Sequence, residues 1–338
     1  MVEFLAGSPK PLTKATVNKL MQYLCGYQES IAQVCCPPET IVIEGEDALP
    51  DVTGHSNLRL LPPDCGLIET ESRIRNGENA ELLEFPWMAI LSYNTSKGVK
   101  FNCGGSIINE NYILTAAHCI AGTPDPLLGV RVGEYDTSSE KDCEDDTCNP
   151  PVQDLIIEKI IPHPQYNTTF YANDIALLRV SKINFTVENA KPICLPTTED
   201  LRDQKLKTAV VTGWGFTRPF TRKASVLQKV ALPVQNLSTC IDAYRPLKQV
   251  KLSNKQLCVG GTERKDSCGG DSGGPLQVPV HFDGEDRYVQ HGIVSIGHAY
   301  CGTVGYPGIF TRVASHVKWI LDTTSCNVPL CNVIFVKN

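Results

Sequence analysis

The sequence predicts an all-β protein that closes on one helix. Three observations predict it. From Phe85 onward the chain breaks into short β-like runs separated by turn residues. The stretch Val313–Thr323 reads as a closing amphipathic helix. Fifteen cysteines in 338 residues mark a disulfide-rich chain of an oxidising compartment, because such density is rare where thiols are kept reduced.

In chain order, residues 1–36 hold Cys25, Cys35 and Cys36. Pro37 to Pro63 carries Glu44, Glu46, Asp47 and several prolines with few apolar runs, which predicts a linker. The clearest strand candidates are Trp87–Tyr93, Ser106–Thr115, Asp174–Val180, Thr208–Thr212 and Gly292–Ile296. After the closing helix, Cys326 and Cys331 stand close enough to close a small loop. There is no internal repeat or low-complexity tract. A net charge of −6 gives no support to nucleic-acid binding. No apolar run approaches the roughly 18 residues of a membrane span. Asn94, Asn167, Asn184 and Asn236 each begin an Asn-X-Ser/Thr sequon, the acceptor pattern of secreted glycoproteins.

The most informative segment runs from Lys265 to Pro275. Glycines on both sides of Ser272 let the backbone fold sharply around its hydroxyl. The N–H groups of Gly270 and Ser272 can then converge on a developing negative charge. A serine hydroxyl is a weak nucleophile at neutral pH. It needs a base, and the base needs an orienting group. Thr115-Ala116-Ala117-His118-Cys119 offers the base, and Asn173-Asp174-Ile175-Ala176-Leu177-Leu178 offers a carboxylate heading an apolar run.

These strings, in the order His, Asp, Ser, resemble the chymotrypsin/trypsin-like serine proteases, the family on which the general triad template is built. The resemblance runs from Ile74 to about Thr324. It implies two packed six-stranded antiparallel β-barrels with a C-terminal helix. It also implies His118 as general base, Asp174 as its orienting partner, Ser272 as nucleophile, and an oxyanion hole at Gly270 and Ser272. Some relatives keep the fold and lose catalysis, typically by replacing the serine; here all three residues are present.

The resemblance places Asp266 at the base of the primary specificity pocket, with Ser267 beside it and Ser295, Gly297 and Gly308 on the walls. A buried carboxylate selects a cation, so it implies cleavage after Arg or Lys. Ile296 departs from the family pattern, which has an aromatic there. Arg73-Ile74 resembles the activation cleavage site. The new Ile74 ammonium would pair with Asp271 and order the oxyanion loop. The same resemblance pairs Cys103 with Cys119, Cys240 with Cys258, Cys268 with Cys301, and Cys65 with Cys194. Cys143 and Cys148, close neighbours in an acidic loop, are expected to bond each other. A further common bridge is absent at both ends, where Ala209 and Val278 stand.

Cys25 through Pro37 resembles the end of a clip domain, a small six-cysteine module that precedes the protease domain in many arthropod enzymes. The domains implied are a partial clip domain at 1–36, a linker and activation peptide at 37–73, a protease domain at 74–325 and a tail at 326–338. The first three clip cysteines are missing, and Met1–Leu5 lacks the start of a signal peptide. The expectation is a sequence truncated at its start; the alternative is a short module whose thiols are free or join another chain. The loop Gly133–Cys143 resembles a calcium loop of clip proteases, with carboxylates from Glu134, Asp136 and Asp142 and the Ser139 carbonyl, a set of hard oxygens that suits calcium. Taken whole, the resemblance implies a secreted zymogen in an extracellular cascade of melanisation, Toll-type signalling or patterning. Its partners would be downstream zymogens, an upstream activating protease and serpin-type inhibitors. The alternative is a non-catalytic clip homologue acting as a binding cofactor; a digestive trypsin fits poorly with the clip remnant.

Overall fold

The computed structural model describes residues 24–28, 31–34, 49–68, 78–121, 123–144, 146–168, 171–218, 222–247, 251–262, 267–298 and 300–324. The chain divides into two compact units, Met1–Leu49 and Pro50–Asn338. In the first, Leu24–Gln28 pairs antiparallel with Ile31–Val34 in a hairpin. Everything below belongs to the second.

Its first sheet is built from β1 (Met88–Thr95), β2 (Gly98–Asn109), β3 (Tyr112–Thr115), β4 (Leu127–Val132), β5 (Gln153–Leu155), β6 (Ile157–Pro162) and β7 (Ala176–Val180). The order is β5–β4–β1–β2–β3–β7–β6, antiparallel throughout. Only Ile156 separates β5 from β6. One bent strand therefore pairs with β4 at one end and β7 at the other, and six strands enclose the barrel.

The second sheet holds β8 (Thr208–Gly213), β9 (Gln228–Gln235), β10 (Gln256–Val259), β11 (Pro275–Phe282), β12 (Glu285–Ile296) and β13 (Gly308–Arg312). They run in the order β8–β11–β12–β13–β10–β9, and β8 pairs with β9 to close the barrel. The expected two-barrel fold is the one observed. The stretch Ser106–Thr115 is two strands rather than one. Glu110 and Asn111 form a two-residue hairpin loop, and the Asn109 side chain accepts from Asn111 N at 2.9 Å, the local bond that favours a turn over continued pairing.

Met88 to Tyr93 is buried at every position, as a strand covered on both faces must be. Within the second barrel, Ala209, Val211, Leu232, Leu276, Val278 and Phe310 are among the residues of one buried cluster. Ala209 and Val278 thus pack together where a bridge is missing. The barrels meet across a polar seam: Trp87 Nε1 donates to Gln277 Oε1, and Ser106 Oγ donates to Gln290 Oε1, both at 2.6 Å and both buried. Buried polar groups that find partners fix a unique register between two surfaces that apolar packing alone would leave freer to slide.

All five expected disulfides form: Cys65–Cys194, Cys103–Cys119, Cys143–Cys148, Cys240–Cys258 and Cys268–Cys301. The side chains of Cys25, Cys35, Cys36, Cys326 and Cys331 lie outside the described residues, as do the expected tail at 326–338 and most of the clip remnant. The described part of the expected linker is folded onto the barrels. Asn57 Nδ2 donates to Leu321 O and Thr324 O, and Arg287 Nη1 donates to Pro63 O and Cys65 O. Gly66, at φ 62°, exchanges backbone bonds with Pro192 and Tyr288; a Cβ there would lie 2.2 Å from Tyr288 O. The closing helix splits into a 3₁₀ turn, Val313–Ser315, and α1 (Val317–Thr323), with His316 between them at φ −119°.

Candidate active site

His118 sits in a single 3₁₀ turn, Ala117–Cys119, directly after β3. The Cys103–Cys119 bridge ties that turn back to β2. Asp174 lies just ahead of β7 and is fully buried. Its Oδ1 accepts from His118 N at 2.9 Å, and its Oδ2 lies 2.7 Å from His118 Nδ1. Ser295 Oγ also donates to Oδ2, and Thr311 Oγ1 donates to the Asp174 carbonyl at 2.7 Å. A proton on Nδ1 facing a buried carboxylate leaves Nε2 with the lone pair. The His118 side chain is 21 % exposed, so the ring has one face in the cleft and one nitrogen on the protein.

Ser272 lies in a turn preceding β11. Ser272 O accepts from Gly104 N on β2 at 2.8 Å, and Gly273 N donates to Val294 O. Gly273 has φ 79°, and a Cβ on it would come within 2.3 Å of Thr115 Oγ1. Only glycine lets the serine turn approach the strand that leads to His118. Gly270 is likewise at positive φ, 105°. The loop is further held by Asp271, whose carboxylate accepts from Gly215 N at 2.8 Å and Cys268 N at 2.9 Å. Burial pushes the Asp271 carboxyl up to about 6, opposed by those two N–H groups and the Lys223 ammonium.

A cavity of about 220 Å³ opens beside Ser272, walled by Ser267, Gly269, Val294, Ser295 and Gly297. Gly297 has nothing within 4 Å of where a Cβ would stand. Gly308 is buried on β13 opposite Val259, away from the lining. Asp266, Arg73 and Ile74 lie outside the described residues. Ile296 packs beside the cluster formed by Cys240, Tyr244, Cys258 and Ile309.

Several neighbours of the site carry no sequence signal. Phe216 lines the cavity, Tyr171 sets its ring edge toward His118 at 6.4 Å, and Lys223 Nζ donates to Phe101 O and Asn102 Oδ1, both at 3.0 Å. Phe216 and Lys223 face each other across one short hairpin, Tyr171 comes from a different loop, and only the fold brings them together at the site. Ser295 was legible as a pocket position; its bond to Asp174 was not.

In the acidic loop, Glu134 and Asp142 are buried, at 6 % and 7 % exposure. Tyr135 N donates to both carboxylates, at 3.0 and 3.1 Å, and Asp142 Oδ1 is buried with no hydrogen-bond partner. Burial and the Asp142 charge push the Glu134 carboxyl up, against the pull of Arg131. Two buried carboxylates, one oxygen unmet, fit a hard cation. Asp136 is partly exposed and takes Ser138 N and Oγ on its Oδ1, while Ser139 Oγ donates to Lys141 O.

Two antiparallel barrels, a buried aspartate bound to a histidine, and a glycine-flanked serine turn at their junction define the class: this is the two-barrel fold of the trypsin-like serine proteases. Residues 74–320 match the trypsin family, and the chain belongs to that family, alongside its clip-domain members. It is 39 % identical over 330 residues to the serine protease grass of Drosophila melanogaster, covering 95 % of this chain and 84 % of that one. It is 41 % identical to the CLIP domain-containing serine protease HP8 of Bombyx mori, covering 88 % and 82 %. The crystal structure of Drosophila Grass, described as a clip serine protease of the Toll pathway, is similar with a TM-score of 0.70 at 36 % identity, over 95 % of this chain and 88 % of that one.

Proposed function

We propose that this chain is a secreted serine endopeptidase zymogen, activated by cleavage after Arg73, that cuts protein substrates after Arg or Lys in an extracellular cascade. The observation that carries the reading is the bond geometry of His118 on buried Asp174, which leaves the lone pair of the imidazole on Nε2. Ser272 Oγ attacks the scissile carbonyl and His118 takes its proton. Asp174 stabilises the imidazolium, and the N–H groups of Gly270 and Ser272 hold the oxyanion. His118 then returns the proton to the leaving amine. A water, deprotonated in turn by His118, hydrolyses the acyl-enzyme and frees Ser272. Asp266 would select the basic side chain, with Ser267, Ser295 and Gly297 shaping the pocket.

Cutting after Arg73 would deliver the Ile74 ammonium to Asp271 and so order the oxyanion loop. Gly215 N and Cys268 N already hold the Asp271 carboxylate, and the ammonium would add the full opposite charge that a buried carboxylate favours. A calcium ion held by Glu134 and Asp142, with Asp136 and the Ser139 carbonyl, would tie the acidic loop together. Similarity to a protease of the Toll pathway supports an immune cascade, with zymogen substrates, an activating protease and serpin-type inhibitors as partners.

The test is to cut the recombinant chain after Arg73 and assay arginine and lysine esters. Cut wild type turns over, and Ser272→Ala loses on the order of 10⁶ in rate, the scale on which a triad fails without its serine. No turnover by the cut wild type would leave the non-catalytic cofactor as the reading.

A further inference from the structure

Asp174 is also held from behind, by groups that take no part in the steps above. Asn173 precedes it at φ 52°, a left-handed conformation that asparagine adopts more readily than most residues. The Asn173 carboxamide is engaged at both ends. Its Nδ2 donates to Gln165 O at 3.1 Å, and its Oδ1 lies 3.1 Å from His316 Nε2. His316 is 3 % exposed and sits at the joint between the 3₁₀ turn and α1. Its other nitrogen, Nδ1, lies 2.9 Å from Arg312 O.

Both neighbours of the imidazole are therefore acceptors. Turning the Asn173 amide around does not relieve this, since its oxygen would then face Gln165 O. A neutral imidazole carries a single N–H and can satisfy one acceptor at a time. The groups around it discourage a second proton. Burial holds the His316 imidazole below its ordinary range, with the Lys255 charge in the same sense and the Arg312 carbonyl opposing. His163 faces it edge-on at 5.4 Å, and Trp319 packs behind His163 at 4.9 Å.

We propose that His316 is a positioning residue for the triad: its ring, set between Arg312 O at 2.9 Å and Asn173 Oδ1 at 3.1 Å, fixes the left-handed residue before Asp174 and with it the carboxylate that orients His118. The proposal rests on the triad reading above. A misplacement of the aspartate by a fraction of an ångström is felt in the chemical step rather than in substrate binding.

The experiment uses full-length chain cut after Arg73 and an arginine ester. His316→Phe keeps a ring and removes the donor; His316→Gln returns an N–H near the Nε2 position. The phenylalanine variant should lose about tenfold or more in kcat with KM unchanged, the scale on which small misplacements act. The acidic limb of its kcat/KM profile should move, and glutamine should restore most of kcat. Asn173→Ala approaches the same bond from its other end, so it should show the same loss, and adding His316→Phe to it should lower kcat little further. Unchanged kcat and profile in His316→Phe overturns the proposal. So does strict additivity of the two substitutions, or a loss confined to melting temperature. Failure of the triad reading looks different, because the cut wild type would itself be inactive.

Discussion

Asp271 shows at the residue scale how burial couples the protonation of one group to stability. Gly213 and Gly215 crowd its carboxylate so closely that a Cβ on either would lie 2.2 or 2.4 Å from it. Burial pushes the carboxyl up to about 6 from 3.8. A raised acid favours the folded state below its unfolded value, and that contribution is lost as pH climbs through the folded one. The uncut chain should therefore lose stability between about pH 4 and 6, on the order of 2–3 kcal/mol, since each tenfold change in proton affinity corresponds to about 1.4 kcal/mol. Asp271→Asn should remove this slope, and because its amide nitrogen would face one of the two N–H groups that the carboxylate accepts, it should not raise the melting temperature of the uncut chain at pH 7. After cutting, the same variant should be poorly active, because the Ile74 ammonium has no carboxylate to meet. A wild-type melting curve that does not change over that pH range, relative to Asp271→Asn, would contradict the burial argument. Asp271 was legible in the sequence beside Ser272, but its enclosure by Gly213 and Gly215 was not, since they lie over fifty residues away.

At the scale of elements, the acidic loop makes the sharpest prediction. Glu134 and Asp142 are buried, share one amide and leave one oxygen unmet. Adding calcium should raise the melting temperature, and chelator should lower it and open the Glu140–Cys148 stretch to proteolysis. A ligand at a hundredfold excess over its dissociation constant contributes roughly 2.7 kcal/mol. Identical melting curves with calcium and with chelator would remove the ion from the account. The strand runs of β1, β7 and β8 were legible because consecutive apolar residues in short runs leave little choice of structure. The Glu110–Asn111 hairpin inside Ser106–Thr115 was not, because an apolar run on either side masked two turn-forming residues. The break at His316 also left no trace, since the helical pattern continues through it.

The whole molecule carries the segment 50–68 as part of its surface. Val52 is buried, His55 Nε2 pairs with Asp322 at 3.0 Å, and Asn57 meets the carbonyls at the end of α1. The Cys65–Cys194 bridge is thus one attachment among several. In a Cys65→Ser, Cys194→Ser double variant cut after Arg73, the N-terminal piece should still co-elute with the protease in native size exclusion. It should separate in denaturant without reductant, which the wild type should not. Separation under native conditions would show that the disulfide alone holds the piece.

The sequence by itself determined what chemistry and local geometry dictate: the three residues of the proposed triad, the glycines around Ser272, the all-β runs and the five disulfide partners. Each of these depends on residue type at close spacing or on a resemblance carried by short strings. The tertiary structure alone decided which distant groups meet: Ser295 and Thr311 on Asp174, His316 behind Asn173, Phe216 and Lys223 beside the serine turn, and residues 50–68 against α1. These contacts join segments far apart in the chain. Their strength comes from burial and from the directions of hydrogen bonds, and neither exists until the barrels have closed.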